Sequence, residues 1–322
     1  MTEPRLDFVN CPDGQGGHRM AYWQWNSSPG DPAAAHVVVC MHGLTRQGRD
    51  FDTLARVLLA QVHGPLRVVC PDIVGRGRSD WLRDPQGYQV PQYAGDVLAL
   101  LAALQAEAPI GALGVVGTSM GGLIGMVLAG AKDLPLPAPV RRLVLNDVGP
   151  AIEAAAIARI ASYVGRGGRY PDVQAAADAL WSISTGFGPH TPEQWLALTR
   201  PMVVPAGERS ADGRRKQAPG TGEGGDGVVL HYDPALAEPI RALTPEIAAQ
   251  AEQAAWALYD AIHVPTLLLR GAQSDLLSPA TAQAMTQRGP RARLVEFAGV
   301  GHAPTLIDPA QSGAVASFLL DR

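Results

Sequence analysis

Six short runs of aliphatic and β-branched residues recur along the chain, at 36–40, 66–70, 114–116, 140–145, 264–269 and 293–297, each separated from the next by helical or irregular stretches. A strand joined to a parallel neighbour needs a long crossover, usually a helix, so this alternation implies a parallel sheet with helices on both faces. Two earlier runs, 6–9 and 20–25, flank a glycine-rich turn at 13–17 and read as an antiparallel hairpin at the sheet edge. Helix starts are marked by Pro91, which precedes Val97, Leu98, Leu101 and Leu104, and by Ser278-Pro279 ahead of Ala282 and Met285.

The rhythm breaks between Val148 and Ile262, where an Ala-rich helical region, a polar glycine-rich stretch and more helix follow one another. We expect a core domain built from 1–147 and 263–322, with 148–262 inserted as a mainly helical cap. Within the cap, 206–227 reads as a mobile glycine-rich loop and 228–232 as a short strand. With 322 residues and 47% hydrophobic residues, the chain can bury one large core and a modest second layer.

Composition excludes several classes. The formal net charge is −4 and no Lys/Arg run is long enough to track a phosphate backbone, so nucleic acid is not an expected partner. No apolar run reaches the roughly 18–20 residues of a membrane helix, and the first residues lack a basic stretch followed by an apolar one. A soluble, cytoplasmic protein is the expectation, with no membrane partner; its oligomeric state is not legible. The three cysteines, Cys11, Cys40 and Cys70, form no CxxC or Cys/His grouping and read as buried or incidental thiols, with no metal site.

The chemistry centres on 112–124, where a strand-like run passes through Gly117-Thr118-Ser119-Met120-Gly121 into a helix-like run. A serine on a sharp strand-to-helix turn is held in a strained backbone that presents Oγ at the carboxyl edge of the sheet, with glycines two positions either side to avoid collision. The first helical amide, that of Met120, then faces a developing oxyanion. Upstream, the 37–41 strand ends in His42-Gly43, whose turn frees the Leu44 amide as a second oxyanion donor, while His42 itself is expected to be structural.

The general base should follow the nucleophile on a loop after the last strand, which describes His302 between Gly301 and Pro304. The orienting carboxylate is expected after the penultimate strand, at Asp275. Asp147, one strand earlier, is the competitor, expected instead to anchor the cap hinge or line the pocket. Arg46, Trp181 and Trp195 are candidate pocket residues, with Tyr163, Tyr259 and Phe187 as further candidate walls. The aromatic residues can equally pack cap helices together, and Arg46 can equally form a surface ion pair.

On His42-Gly43, on Asp72-Ile73-Val74-Gly75-Arg76-Gly77-Arg78-Ser79, on the 117–122 turn, on Asp275 and on Gly301-His302, the chain resembles the α/β-hydrolase superfamily. The resemblance implies an eight-stranded, mostly parallel, doubly wound sheet, a lid after the sixth strand, and Ser119, His302 and Asp275 acting as a triad. Serine at the nucleophile position argues against epoxide hydrolases and haloalkane dehalogenases, which carry aspartate there. The expected activity is hydrolysis of a small or medium carboxylic ester, lactone or short hydroxyalkanoate oligomer through an acyl-enzyme, with no metal or organic cofactor. Carbon–carbon hydrolysis of ring-cleavage diketo acids, and a non-catalytic binding role, are the alternatives.

Overall fold

The structure, a computed structural model, describes residues 3–30, 35–208 and 226–320. Its strands are built by period-two alternation. In β3 (Ala35–Met41), Val37, Val39 and Met41 enter one hydrophobic cluster while Val38 and Cys40 enter another on the opposite face, so the strand is buried on both sides. The hairpin β1 (Arg5–Cys11) and β2 (His18–Asn26) precedes it, as expected, at the sheet edge. After β3 come α1 (Asp52–Gln61), β4 (Leu66–Pro71), α2 (Val90–Glu107), β5 (Ile110–Thr118), α3 (Met120–Gly130) and β6 (Val140–Asn146).

The segment after β6 carries α4 (Ala154–Tyr163), β7 (Arg169–Tyr170), α5 (Val173–Ser184), α6 (Pro192–Thr199), β8 (Val203–Pro205), β9 (Val228–Leu230), α7 (Ala237–Arg241) and α8 (Pro245–Asp260). The main sheet resumes with β10 (Thr266–Gly271), α9 (Pro279–Met285), β11 (Arg293–Phe297) and α10 (Pro309–Leu319). Its eight strands run β1-β2-β4-β3-β5-β6-β10-β11. From β4 to β11 all neighbours pair in parallel, and β2 joins β4 antiparallel.

Helices α2, α3 and α8 cover one face, while α1 and α10 pack together over the other. The 148–262 segment therefore does two jobs. Its last helix, α8, lies against α3 in the sheet's own helical layer, whereas α4 to α7 and a three-stranded sheet β7-β9-β8 form a further layer, joined to the main core through Ala156 of α4 and Ala237 of α7. The expected strand at 228–232 is present as β9, and most of the expected glycine-rich loop, 209–225, lies outside the described residues. Among the described residues no helix is long and apolar enough to cross a membrane.

Candidate active site

Ser119 stands between β5 and α3 with φ 52° and ψ −118°, a strained conformation for a residue with a side chain. The turn is possible because of its neighbours: a Cβ on Gly117 would lie 2.2 Å from the Gly121 carbonyl oxygen, and one on Gly121 would lie 2.0 Å from that of Met41. The strained turn is pinned by the Ser119 N–H, which donates to the Asn146 carbonyl at 3.0 Å, and by the Gly122 N–H, which donates to the Ser119 carbonyl at 2.8 Å.

The loop after β11 brings His302 to Ser119, with Nε2 and Oγ 3.0 Å apart. On the other side of the ring, His302 Nδ1 lies 2.7 Å from Asp147 Oδ2. The expected carboxylate, Asp275, is not the one that meets the histidine. Asp275 instead receives a bidentate pair from Arg159 of α4, at 2.6 and 2.9 Å, and both side chains remain partly exposed.

The physical reason is the turn after β6. Asp147 has φ 55° and donates its N–H to the Leu269 carbonyl at 2.8 Å, which tucks its carboxylate under the histidine loop with no exposed surface. There it also accepts the Gly271 N–H at 2.8 Å and the Ser274 hydroxyl at 2.6 Å. A buried carboxylate survives only with such donors. Ser274 escaped the sequence reading; its only signal is its place next to Asp275 on the turn after β10.

His42 has the structural role expected of it. Its Nδ1–H donates to the Gly43 carbonyl at 2.7 Å and its Nε2 accepts the Ile73 N–H at 2.9 Å. Complete burial, with Arg76 and Arg46 nearby, pushes its pKa down to about 3, so the ring is neutral. Arg76, fully buried, donates to the Leu44 carbonyl at 2.7 Å and the Val74 carbonyl at 2.6 Å, and its Nη2 lies 3.3 Å from Met120 Sδ. It thus holds both residues whose amides were expected to face an oxyanion.

A cavity of about 600 Å³ opens over Ser119 and His302, a size typical of small-molecule sites. Of the candidate wall residues, Arg46, Tyr163 and Phe187 line it, together with Leu44, but Trp181 and Trp195 do not. Those two tryptophans sit on α5 and α6 and pack on each other edge-on at 5.1 Å, and the Trp195 indole N–H donates to the Ala177 carbonyl at 2.8 Å. Their apolar area is spent joining two helices of the inserted layer. Tyr259 lies away from the cavity, buried on α8 with its hydroxyl donating to the Met285 carbonyl. Arg46 reaches the cavity but gives its guanidinium to Asp50, with two contacts of 2.6 Å.

The inserted layer is tied directly to the histidine loop. The Gly301 N–H donates to the Gly186 carbonyl at 2.6 Å, and Thr305 Oγ1 lies 2.9 Å from His190 Nε2. Among the described residues the one grouping of metal-ligating side chains is Cys11, His18 and Asp96, buried between the hairpin and α2, where His18 Nε2 and Asp96 Oδ2 contact each other at 3.0 Å.

Known proteins resemble this chain in sequence and in fold. The chain is 48% identical to a 3-hydroxybutyrate-oligomer hydrolase of Cupriavidus necator over 319 residues, 98% of each chain. It is 31% identical to Lipase LipV of Mycobacterium tuberculosis over 156 residues, 48% of this chain and 52% of that one. A crystal structure of an alpha/beta hydrolase from Novosphingobium aromaticivorans superposes with a TM-score of 0.76 at 34% identity, covering 99% of both chains. The family model for the alpha/beta hydrolase fold matches residues 36–309, and the chain belongs to that family.

Proposed function

We propose that this protein is a serine hydrolase of short hydroxyalkanoate oligoesters, acting through an acyl-enzyme on Ser119. The observation that carries the mechanism is the continuous chain from the buried Asp147 through His302 to Ser119, the last two lining one cavity. The substrate class rests on the 48% identity to the oligomer hydrolase, over almost the whole of both chains.

In this reading His302 carries its proton on Nδ1, donated to Asp147, which leaves Nε2 to accept the Ser119 hydroxyl proton. As that proton moves, Oγ bonds to the ester carbonyl carbon, and the Leu44 and Met120 amides hold the oxyanion. Collapse breaks the bond to the alcohol oxygen, which takes the proton from His302. Water then attacks the acyl carbon and gives its proton to His302, and this proton returns to Oγ as the acyl bond breaks. The inserted layer serves as lid, its Gly186 and His190 contacts holding it to the loop that carries the base.

A reducing compartment, the cytoplasm, fits Cys11, Cys40 and Cys70, all three of them buried free thiols. Labelling with a fluorophosphonate should place the adduct on Ser119, and Ser119→Ala should give none and lose about three or more decades of turnover. Incubation with the dimer and trimer of 3-hydroxybutyrate should release the monomer. Inert oligomers alongside rapid cleavage of a vinylogous diketo acid would overturn the ester reading.

A further inference from the structure

One part of the cavity wall has an ordered chemistry. Arg159, Tyr163 and Arg166 follow one another at i, i+4 and i+7 along α4 and its exit turn, and all three line the cavity with Tyr170. Ile160, Leu180 and Ile183 supply apolar lining. Of the three arginines in the lining, Arg46 is neutralised by Asp50 and Arg159 by Asp275, each bidentately. Arg166 has no acidic partner among the described residues, and its side chain is exposed.

Once the two pairs cancel, the wall keeps one cationic fork. Arginine's planar guanidinium matches a carboxylate with two parallel hydrogen bonds. Tyr163 stays a neutral phenol, because burial raises its pKa even against the Arg159 charge. It therefore adds no negative charge to compete with an incoming anion. An oligoester of a hydroxy acid presents such an anion at one end only, with a hydroxyl at the other.

We propose that Arg166 binds the terminal carboxylate of the oligoester and so determines which way round the substrate lies. This rests on the oligoester reading above. Cleavage of any ester bond in such a chain expels the portion bearing the free carboxylate and leaves the hydroxyl-terminal portion on Ser119 until water releases it, so a carboxylate held at Arg166 places the leaving-group side of the scissile ester along the α4 wall.

The test uses a 3-hydroxybutyrate trimer as the free acid, as its methyl ester, and with its terminal hydroxyl acetylated. The protein should prefer the free acid over the methyl ester by about tenfold or more in kcat/KM, the worth of a charge-assisted contact, and should tolerate acetylation. Arg166→Gln should bring the acid-to-ester ratio close to one by raising KM for the acid, and Arg166→Lys should keep part of it. Equal use of acid and methyl ester, or a preference that survives in Arg166→Gln, overturns the assignment while leaving oligoester hydrolysis standing. If neither trimer form is cleaved while nitrophenyl butyrate is, the oligoester reading falls and takes this assignment with it.

Discussion

Asp147 and Asp275 follow neighbouring strands at the same edge of the sheet, and their surroundings are opposite. Asp147 is fully buried and meets His302, Ser274 and the Gly271 amide, whereas Asp275 is half exposed and meets an arginine of the inserted layer. A carboxylate can hold an imidazole in one tautomer and orientation only where it is itself immobile and dry. An exposed ion pair fixes little, since water and salt screen it. The end of β6 is thus built to orient, and the end of β10 to join two layers at a cavity wall.

The largest expected effect separates the two directly. Asp147→Asn should lower kcat by about three to four decades, because the amide favours the wrong histidine tautomer. Asp275→Asn should change kcat by less than about tenfold, with its effect in KM through the freed Arg159. Steady-state kinetics on both variants, with circular dichroism to confirm folding, checks this; a more damaging Asp275→Asn would reverse the roles of the two loops.

Two arginines extend the contrast to stability. Arg76→Met leaves the buried Val74 carbonyl and the partly buried Leu44 carbonyl without their donor, and an unpaired buried acceptor costs about 1–3 kcal/mol. A loss of about 3 kcal/mol in urea unfolding is expected, with reduced kcat because the Leu44 loop is no longer held. Arg159→Gln should cost under about 1 kcal/mol, as its pair with Asp275 is more than a third exposed on both sides. Similar losses for the two variants would erase the distinction between the dry edge and the wet one.

Ser274→Ala probes the buried end more gently. It removes one of the donors to Asp147 and leaves His302 untouched. A cost of about 1–3 kcal/mol in unfolding, with a drop in kcat far smaller than that of Asp147→Asn, is expected. An unchanged kcat would show that the Gly271 amide alone suffices to fix the carboxylate.

What the sequence made legible follows the reach of each signal. Ser119 and its glycines are a local pattern, since strand, turn and helix lie within a dozen residues, and the six apolar runs carry their own period. His302 is readable by position, after the last strand. The choice between Asp147 and Asp275 has no local signal: both end a strand, and the difference is a left-handed backbone at Asp147 and a hydroxyl delivered by a different loop. Trp181 and Trp195 were equally ambiguous, because an aromatic residue in an amphipathic helix does not announce whether it meets a cavity or another helix. In the inserted segment no repeat of strand and helix links one element to the next, and so α8 reads from sequence like its predecessors although it packs on α3.

The smallest expected effect concerns a second buried pair of histidine and aspartate, which lies outside the cavity over Ser119 and serves as a control for the first. His18 lies between Asp96, 3.0 Å from Nε2, and Asp13, 3.3 Å from Nδ1. Burial pushes its pKa down, but hydrogen bonds and charge from Asp96 and Asp13 outweigh burial and leave it raised above the ordinary 6.5. A raised folded-state value means that the protonated ring stabilises the fold fully below the unfolded pKa, and that this contribution is lost as pH rises through the folded one. The stability gap between the parent protein and His18→Gln should therefore be wider at pH 6 than at pH 9, measured as urea midpoints at each pH. At a fixed pH where both are folded, kcat should be the same for the two proteins, since no atom of this pair approaches Ser119. A gap that stays flat or widens with pH would mean that the two carboxylates do not hold a proton on His18, and that the pairing there is one of neutral hydrogen bonds.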